Sequence, residues 1–167
     1  MMSITLRDKL VETALAWQDR YGVAPAITTA ISEYDAAITL LGMSEEAFRQ
    51  SQLRTTAVQR GYDFVRDGMR YQIKANRPSG RPGSKVTLCA KARNYEWDYL
   101  IWILYDREYR IQEAWEWSVA DYIAAFDHVT RISPDHMRLG RSALQHRTCG
   151  IVGEHIADAN VSGQHLV

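Results

Sequence analysis

What this 167-residue chain lacks narrows its class before any motif is read. No uninterrupted apolar run approaches the roughly 20 residues that a membrane-crossing helix needs, so no membrane partner is expected. The N-terminus, MMSITLRDKL, has charges where a signal peptide would have its apolar core, which predicts a soluble, cytoplasmic protein. Cysteine is scarce: Cys89 and Cys149 stand far apart, match no zinc or redox spacing, and read as free thiols of a reducing compartment. His128, His136, His146, His155 and His165 show no metal spacing, and His146 with Cys149 is at most half a zinc site. No Ser-centred elbow or dinucleotide glycine fingerprint occurs. NRPSGRPGSK, at 76–85, is not a phosphate-cradling loop, because Ser-Lys follows Gly83 where Gly-Lys-Ser/Thr is required. Net charge is absent too, with 20 basic and 20 acidic residues, which argues against a general nucleic-acid binder.

The neutral total hides a polarised chain. Positions 60–93 hold nine Lys/Arg against Asp63 and Asp67, whereas 94–128 hold eight acids against Arg107 and Arg110. Taken alone, such runs read as solvated surface. Helical spacing predicts helices over 4–20, with Leu6, Leu10, Ala14 and Trp17 inward, over 26–41 ending at Gly42, and over 44–52. Strand-like runs follow at 61–66, 69–75, 85–92, 98–105 and 108–117, then helices at 119–127 and 134–145. Helices, an antiparallel-rich sheet, then helices define an α+β or mixed α/β class. With no repeat and no long linker, 1–147 reads as a single domain and 148–167 as a loosely attached tail.

One stretch does not fit an ordinary sheet. Asp67-Gly68 is a two-residue hairpin signal that pairs Arg66 with Met69, Val65 with Arg70, Phe64 with Tyr71 and Asp63 with Gln72. Alternation puts Phe64, Tyr71 and Ile73 on one face and Asp63, Gln72 and Lys74 on the other. The plain reading is an edge hairpin with a solvated polar face, where Asp63 and Lys74 form a surface ion pair worth about 0–1 kcal/mol. Against it stands Glu33, on the stripe Ala26, Ala30, Glu33, Ala37, Leu40 of the preceding helix. An unpaired carboxylate on a packing stripe costs several kcal/mol. A cation shared with Asp63 would remove that cost, and two carboxylates with a main-chain carbonyl suit Mg²⁺ or Mn²⁺. Asp35, by contrast, shares its side with Thr28, Ser32 and Thr39.

Glu33 on an early helix, Asp63 at one strand and Gln72-Ile73-Lys74 in the next resemble the PD-(D/E)xK nuclease superfamily, and most closely its Gln-x-Lys variants such as Mrr-type endonucleases. The resemblance covers about 26–74. It departs from the common pattern in lacking Pro before Asp63 and in carrying Gln72 for the usual acid. It implies a restriction-endonuclease-like fold, a central mixed sheet flanked by helices, over 1–147. It also implies a Mg²⁺- or Mn²⁺-dependent DNA endonuclease, with Glu33, Asp63, Gln72 and Lys74 catalytic and Glu33, Asp63 and the Ile73 carbonyl on the metal. Arg70, Asn76, Arg77, Arg81 and Lys85 become candidate contacts to double-stranded DNA, with 76–85 either a phosphate-tracking arm or a solvated loop. Cutting a duplex needs two sites, hence a homodimer. A module of the same fold that binds DNA without cleaving it is the alternative. A third reading is an interaction protein whose aromatic hairpin docks a partner. Trp97, Trp102, Trp115, Trp117, Tyr95, Tyr99, Tyr105 and Tyr109 read as core or interface before they read as a base-stacking platform.

Overall fold

The computed structural model describes residues 4–54 and 61–144. The anticipated tail at 148–167, which holds Cys149, His155 and His165, lies outside the described residues, as does His146. Three helical segments come first: α1 (Leu6–Tyr21), α2 (Thr28–Tyr34), which continues as a wider π-helical stretch over Asp35–Leu40, and α3 (Glu45–Arg54). Strands β1 (Phe64–Arg66), β2 (Met69–Asn76), β3 (Tyr99–Tyr105) and β4 (Ile111–Ser118) follow, then α4 (Val119–Phe126), α5 (Pro134–Met137) and β5 (Arg141–Ser142). The five strands lie in sequence order, with β2 and β3 parallel and the other neighbours antiparallel. The class is therefore mixed α+β with a mixed sheet.

The sheet is covered on both faces. Phe64, Tyr71, Ile73, Ile101, Ile103 and Tyr105 pack beneath α1 and α2. Leu100, Trp102 and Trp117 pack on the other side against Trp97, Tyr122, Phe126 and Ile132. β3 is the strand enclosed by both layers, and its run Leu100, Ile101, Trp102, Ile103 is wholly buried, as expected of a parallel-paired strand. The aromatic strands are thus core, with Trp97, Trp102, Tyr105 and Tyr109 shut away from solvent.

Local chemistry explains the boundaries. Thr5 caps α1 by accepting from the Asp8 N–H at 3.1 Å, and Gly22 ends it at φ 85°. Ser133 caps α5 within a capping box completed by His136. Asp67 and Gly68 both adopt positive φ, as the two-residue hairpin requires.

Three expectations fail. The strand foreseen at 85–92 is irregular chain with one bridge, Cys89 to Ile132, because the β2–β3 crossover must travel over a sheet face. The helix foreseen at 134–145 stops after one turn, since the chain passes so close to Trp117 that a Cβ on Gly140 would lie 2.5 Å from its indole nitrogen. The inner face of α1 is Val11 and Ala14, while Leu6, Leu10 and Trp17 point outward.

That rotation goes with an ion pair between the half-buried Arg7 and the buried Asp35. Arg7 Nε and Nη2 donate to Asp35 Oδ1 and Oδ2 at 3.0 and 2.8 Å, Nη2 also reaches the Tyr109 carbonyl at 2.6 Å, and the Tyr105 hydroxyl donates to Asp35 Oδ2 at 2.8 Å. Asp35, assigned by spacing to the polar side of α2, is 2% exposed. Ala26 and Ala30, assigned to the packing stripe, are exposed. Burial follows the partners: Arg7 and Tyr105 satisfy Asp35, so it goes inside. Arg7→Met leaves that carboxylate buried and unpaired, and we expect urea unfolding to show a loss of about 3–5 kcal/mol.

Candidate metal and phosphodiester site

β1 begins only at Phe64, one residue short of the expected Asp63–Gln72 pair. Gly61 turns the chain into the hairpin at φ 101°, against the side chain of Glu96. The Asp63 N–H then donates to the Tyr71 carbonyl at 2.7 Å. Its side chain takes the place that a longer β1 would have filled: Asp63 Oδ2 accepts the Ile73 N–H at 2.6 Å and the Gln72 amide Nε2 at 2.7 Å. The Ile73 carbonyl, pointing to the same edge and free of a ladder partner there, receives the same Gln72 Nε2 at 3.3 Å. The direct Asp63–Gln72 pairing is thus replaced by a side-chain graft, because the backbone turns away one residue early.

Glu33 approaches from α2. It is half-buried, and no described residue donates a hydrogen bond to it. Burial, followed by the negative charge of Asp63, raises its carboxyl to about 7. Burial also raises Asp63, against the opposing pull of the Ile73 N–H and the positive charge of Lys74. Lys74, half-buried on β2 beside Trp102 of β3, makes no hydrogen bond among the described residues. Two desolvated carboxylates are thus near enough for one to repel the other, and the amine of Lys74 is near enough to ease the charge on Asp63. Asp63, Gln72 and Ile73 are joined by hydrogen bonds, while Glu33 feels the charge of Asp63 and Asp63 that of Lys74.

These donors fit a hard divalent cation in type: carboxylate, carboxylate, carbonyl. Gln72 fits less well as it stands, because two acceptors hold its NH₂ end where a metal would need its oxygen. Among the described residues, no group of three or more His, Cys, Asp or Glu side chains is gathered.

The nucleic-acid candidates divide. Arg70 is held by Asp98, through Nε at 3.1 Å, Nη2 at 3.0 Å and its main-chain N–H at 2.8 Å. Asn76 accepts from the Trp102 indole at 2.9 Å and donates to the Leu88 carbonyl at 3.2 Å. Arg77 lies 4.3 Å over the Tyr109 ring and bonds the Arg107 carbonyl and Gln18. All three bind the fold together. Arg81 and Lys85 are exposed.

Sequence reasoning passed over a second polar cluster. Arg66, Tyr71, Glu116 and Arg141 line a cavity of about 600 Å³ under the end of the π-helical stretch. Glu116 is buried and paired with Arg141, and the cavity shares no residue with the Glu33–Asp63 cluster. The cavity runs across the sheet, with lining residues from all five strands beneath residues 39–42, and nothing in the spacing signals it.

No family model matches this chain, and no curated protein matches it either.

The raised Glu33 carboxyl makes a pH prediction. Between about pH 4.5 and 7 the folded protein holds a proton on Glu33 that the unfolded chain has released, so stability falls as pH rises through that window. Glu33→Gln removes the penalty. In metal-free buffer its melting temperature should exceed wild type by a few degrees at pH 8, and the difference should close towards pH 4.5.

Proposed function

We propose that the protein is a metal-dependent DNA endonuclease of restriction-endonuclease-like fold, acting on double-stranded DNA in the cytoplasm as a homodimer. The observation that carries the reading is the half-buried Glu33, which has no hydrogen-bond donor among the described residues and feels the negative charge of Asp63, itself bonded at Ile73 and influenced by Lys74. Such a group is electrostatically incomplete without a cation. A bound Mg²⁺ or Mn²⁺ would supply an activated water and Lewis-acid stabilisation of the phosphoryl oxygens. Glu33, Asp63 and the Ile73 carbonyl would hold it. Lys74 would orient the attacking water or stabilise charge growing on phosphorus. Gln72, its amide turned over, would present its carbonyl to the same centre.

The orientation of Gln72 favours a second reading. If the amide keeps its NH₂ end on Asp63 and Ile73, the protein is a DNA-binding module of this fold without cleavage. A supercoiled-plasmid assay with Mg²⁺ or Mn²⁺ separates the two. Nicking by wild type, reduced on the order of 10²–10³-fold in Asp63→Ala and Lys74→Ala, supports the enzyme. Salt-sensitive binding with no nicking supports the module, and no binding at low salt removes both.

DNA contact, in either case, rests on the exposed cations of the 76–85 loop. Removing Arg81 and Lys85 together should reduce the log–log salt slope of binding by about 2. Arg77→Ala should instead show itself as lost thermal stability, since its guanidinium bridges α1, the β3–β4 turn and Tyr109.

A further inference from the structure

The face of the sheet that packs beneath α1 and α2 is left open where the π-helical stretch ends. Gly42 turns the chain away at φ 68°, and the cavity of about 600 Å³ lies beneath residues 39–42, a volume in the range of small-molecule sites. Strand register decides what lines it. Phe64 pairs with Tyr71, Arg66 with Met69, Tyr71 with Tyr99, and Glu116 with both Ile101 and Arg141. Alternation then sets Arg66, Met69, Tyr71, Tyr99, Glu116 and Arg141 on the face that also carries Phe64 and Ile101. A carboxylate on that face stands among core side chains and needs partners.

Glu116 is 5% exposed and has one such partner. Its Oε1 accepts from Arg141 Nη2, whereas Oε2 has no donor among the described residues and opens on the cavity. A group of opposite charge stands close by without pairing with it. Burial and the negative charge of Glu116 raise the Tyr71 hydroxyl, and Arg66, bonded to that hydroxyl, pulls the other way. Arg66 and Glu116 thus flank one hydroxyl, yet no ion pair joins them; the carboxylate that Arg66 does meet is the exposed Asp67, at 3.8 Å. The helix end above the cavity adds the negative pole of its dipole.

Close but unpaired opposite charges match a ligand whose own opposite charges are adjacent. We propose that this cavity binds a free α-amino acid with an apolar side chain, its ammonium on Glu116 Oε2 and its carboxylate on Arg66. The Arg141 bond to Oε1 is kept. Leu40, Leu41, Met69 and the Tyr99 ring line the space left for the side chain. A lone anion would meet repulsion from Glu116, and a lone amine would leave the Arg66 fork without its carboxylate. The site shares no residue with the Glu33–Asp63 cluster and stands apart from the reading made of it.

Melting of the full chain in metal-free buffer, with each standard amino acid in turn at millimolar concentration, tests the proposal without any activity. At least one apolar amino acid should raise the midpoint by a few degrees. In calorimetry, its amine and carboxylic-acid analogues, each lacking one of the two charges, should bind at least about tenfold more weakly. Glu116→Gln should abolish the preference for the amino acid over the acid analogue. Arg66→Ala should abolish the preference over the amine analogue, and it should melt close to wild type because the Arg66 side chain is 38% exposed. No shift with any amino acid overturns the proposal. So does equal binding of the analogues, or an Arg66→Ala protein that keeps the full preference. Stabilisation by guanosine monophosphate, with none by amino acids, overturns it in favour of a nucleotide site.

Discussion

The Arg7–Asp35 pair sets the rotation of two helices at once. With Arg7 drawn inward to Asp35, the Tyr105 hydroxyl and the Tyr109 carbonyl, α1 must turn its Leu6–Tyr21 stripe outward. With Asp35 inward, Glu33 stands on the margin of α2, where the hairpin that carries Asp63 meets it. The apolar outer face of α1 and the carboxylate pair beside the sheet are therefore two consequences of one buried charge. Neither helix is free to choose another face without stranding that charge.

The hairpin illustrates how a short element acquires chemistry. β1 begins one residue late, so β2 is left with an N–H and a carbonyl at Ile73 that β1 does not reach. Asp63 and Gln72 fill the vacancy with side-chain atoms. A carboxylate used in this way is held in place by main-chain geometry rather than by a flexible ion pair, which is the rigidity that a metal ligand or a positioned base requires. The cost appears as repulsion and desolvation, felt by Glu33 and by Asp63. Lys74 offsets part of it.

Local charge along the chain proved a poor guide to surface charge. Three of the five residues read as DNA contacts, Arg70, Asn76 and Arg77, are bound to Asp98, Trp102, Gln18 and backbone carbonyls distant in sequence. Arg70 and Asn76 on β2, and Arg77 just after it, meet partners at 18, 88, 98, 102 and 107 that a linear reading cannot foresee. Arg81 and Lys85, at the loop's outer bend, are the ones left for a polyanion.

Much of this was legible in the order of residues alone. Asp67-Gly68 dictated the hairpin and its register because few residue pairs tolerate two positive φ angles; Gly42 marked a helix end; and the apolar, aromatic runs at 98–105 and 108–117 read as strands. The closeness of Asp63 to Gln72 also followed from spacing, since a two-residue turn leaves little freedom. Tertiary structure decided the rest: that Asp35 rather than Glu33 is the buried acid of α2, that the apolar stripe of α1 looks outward, that 85–92 is not a strand, and that Glu116 and Arg141 share a cavity. Each of these depends on a partner dozens of residues away. Helical and strand periodicity records which side chains share a face, but which face turns inward is settled only when a buried charge finds its counter-ion.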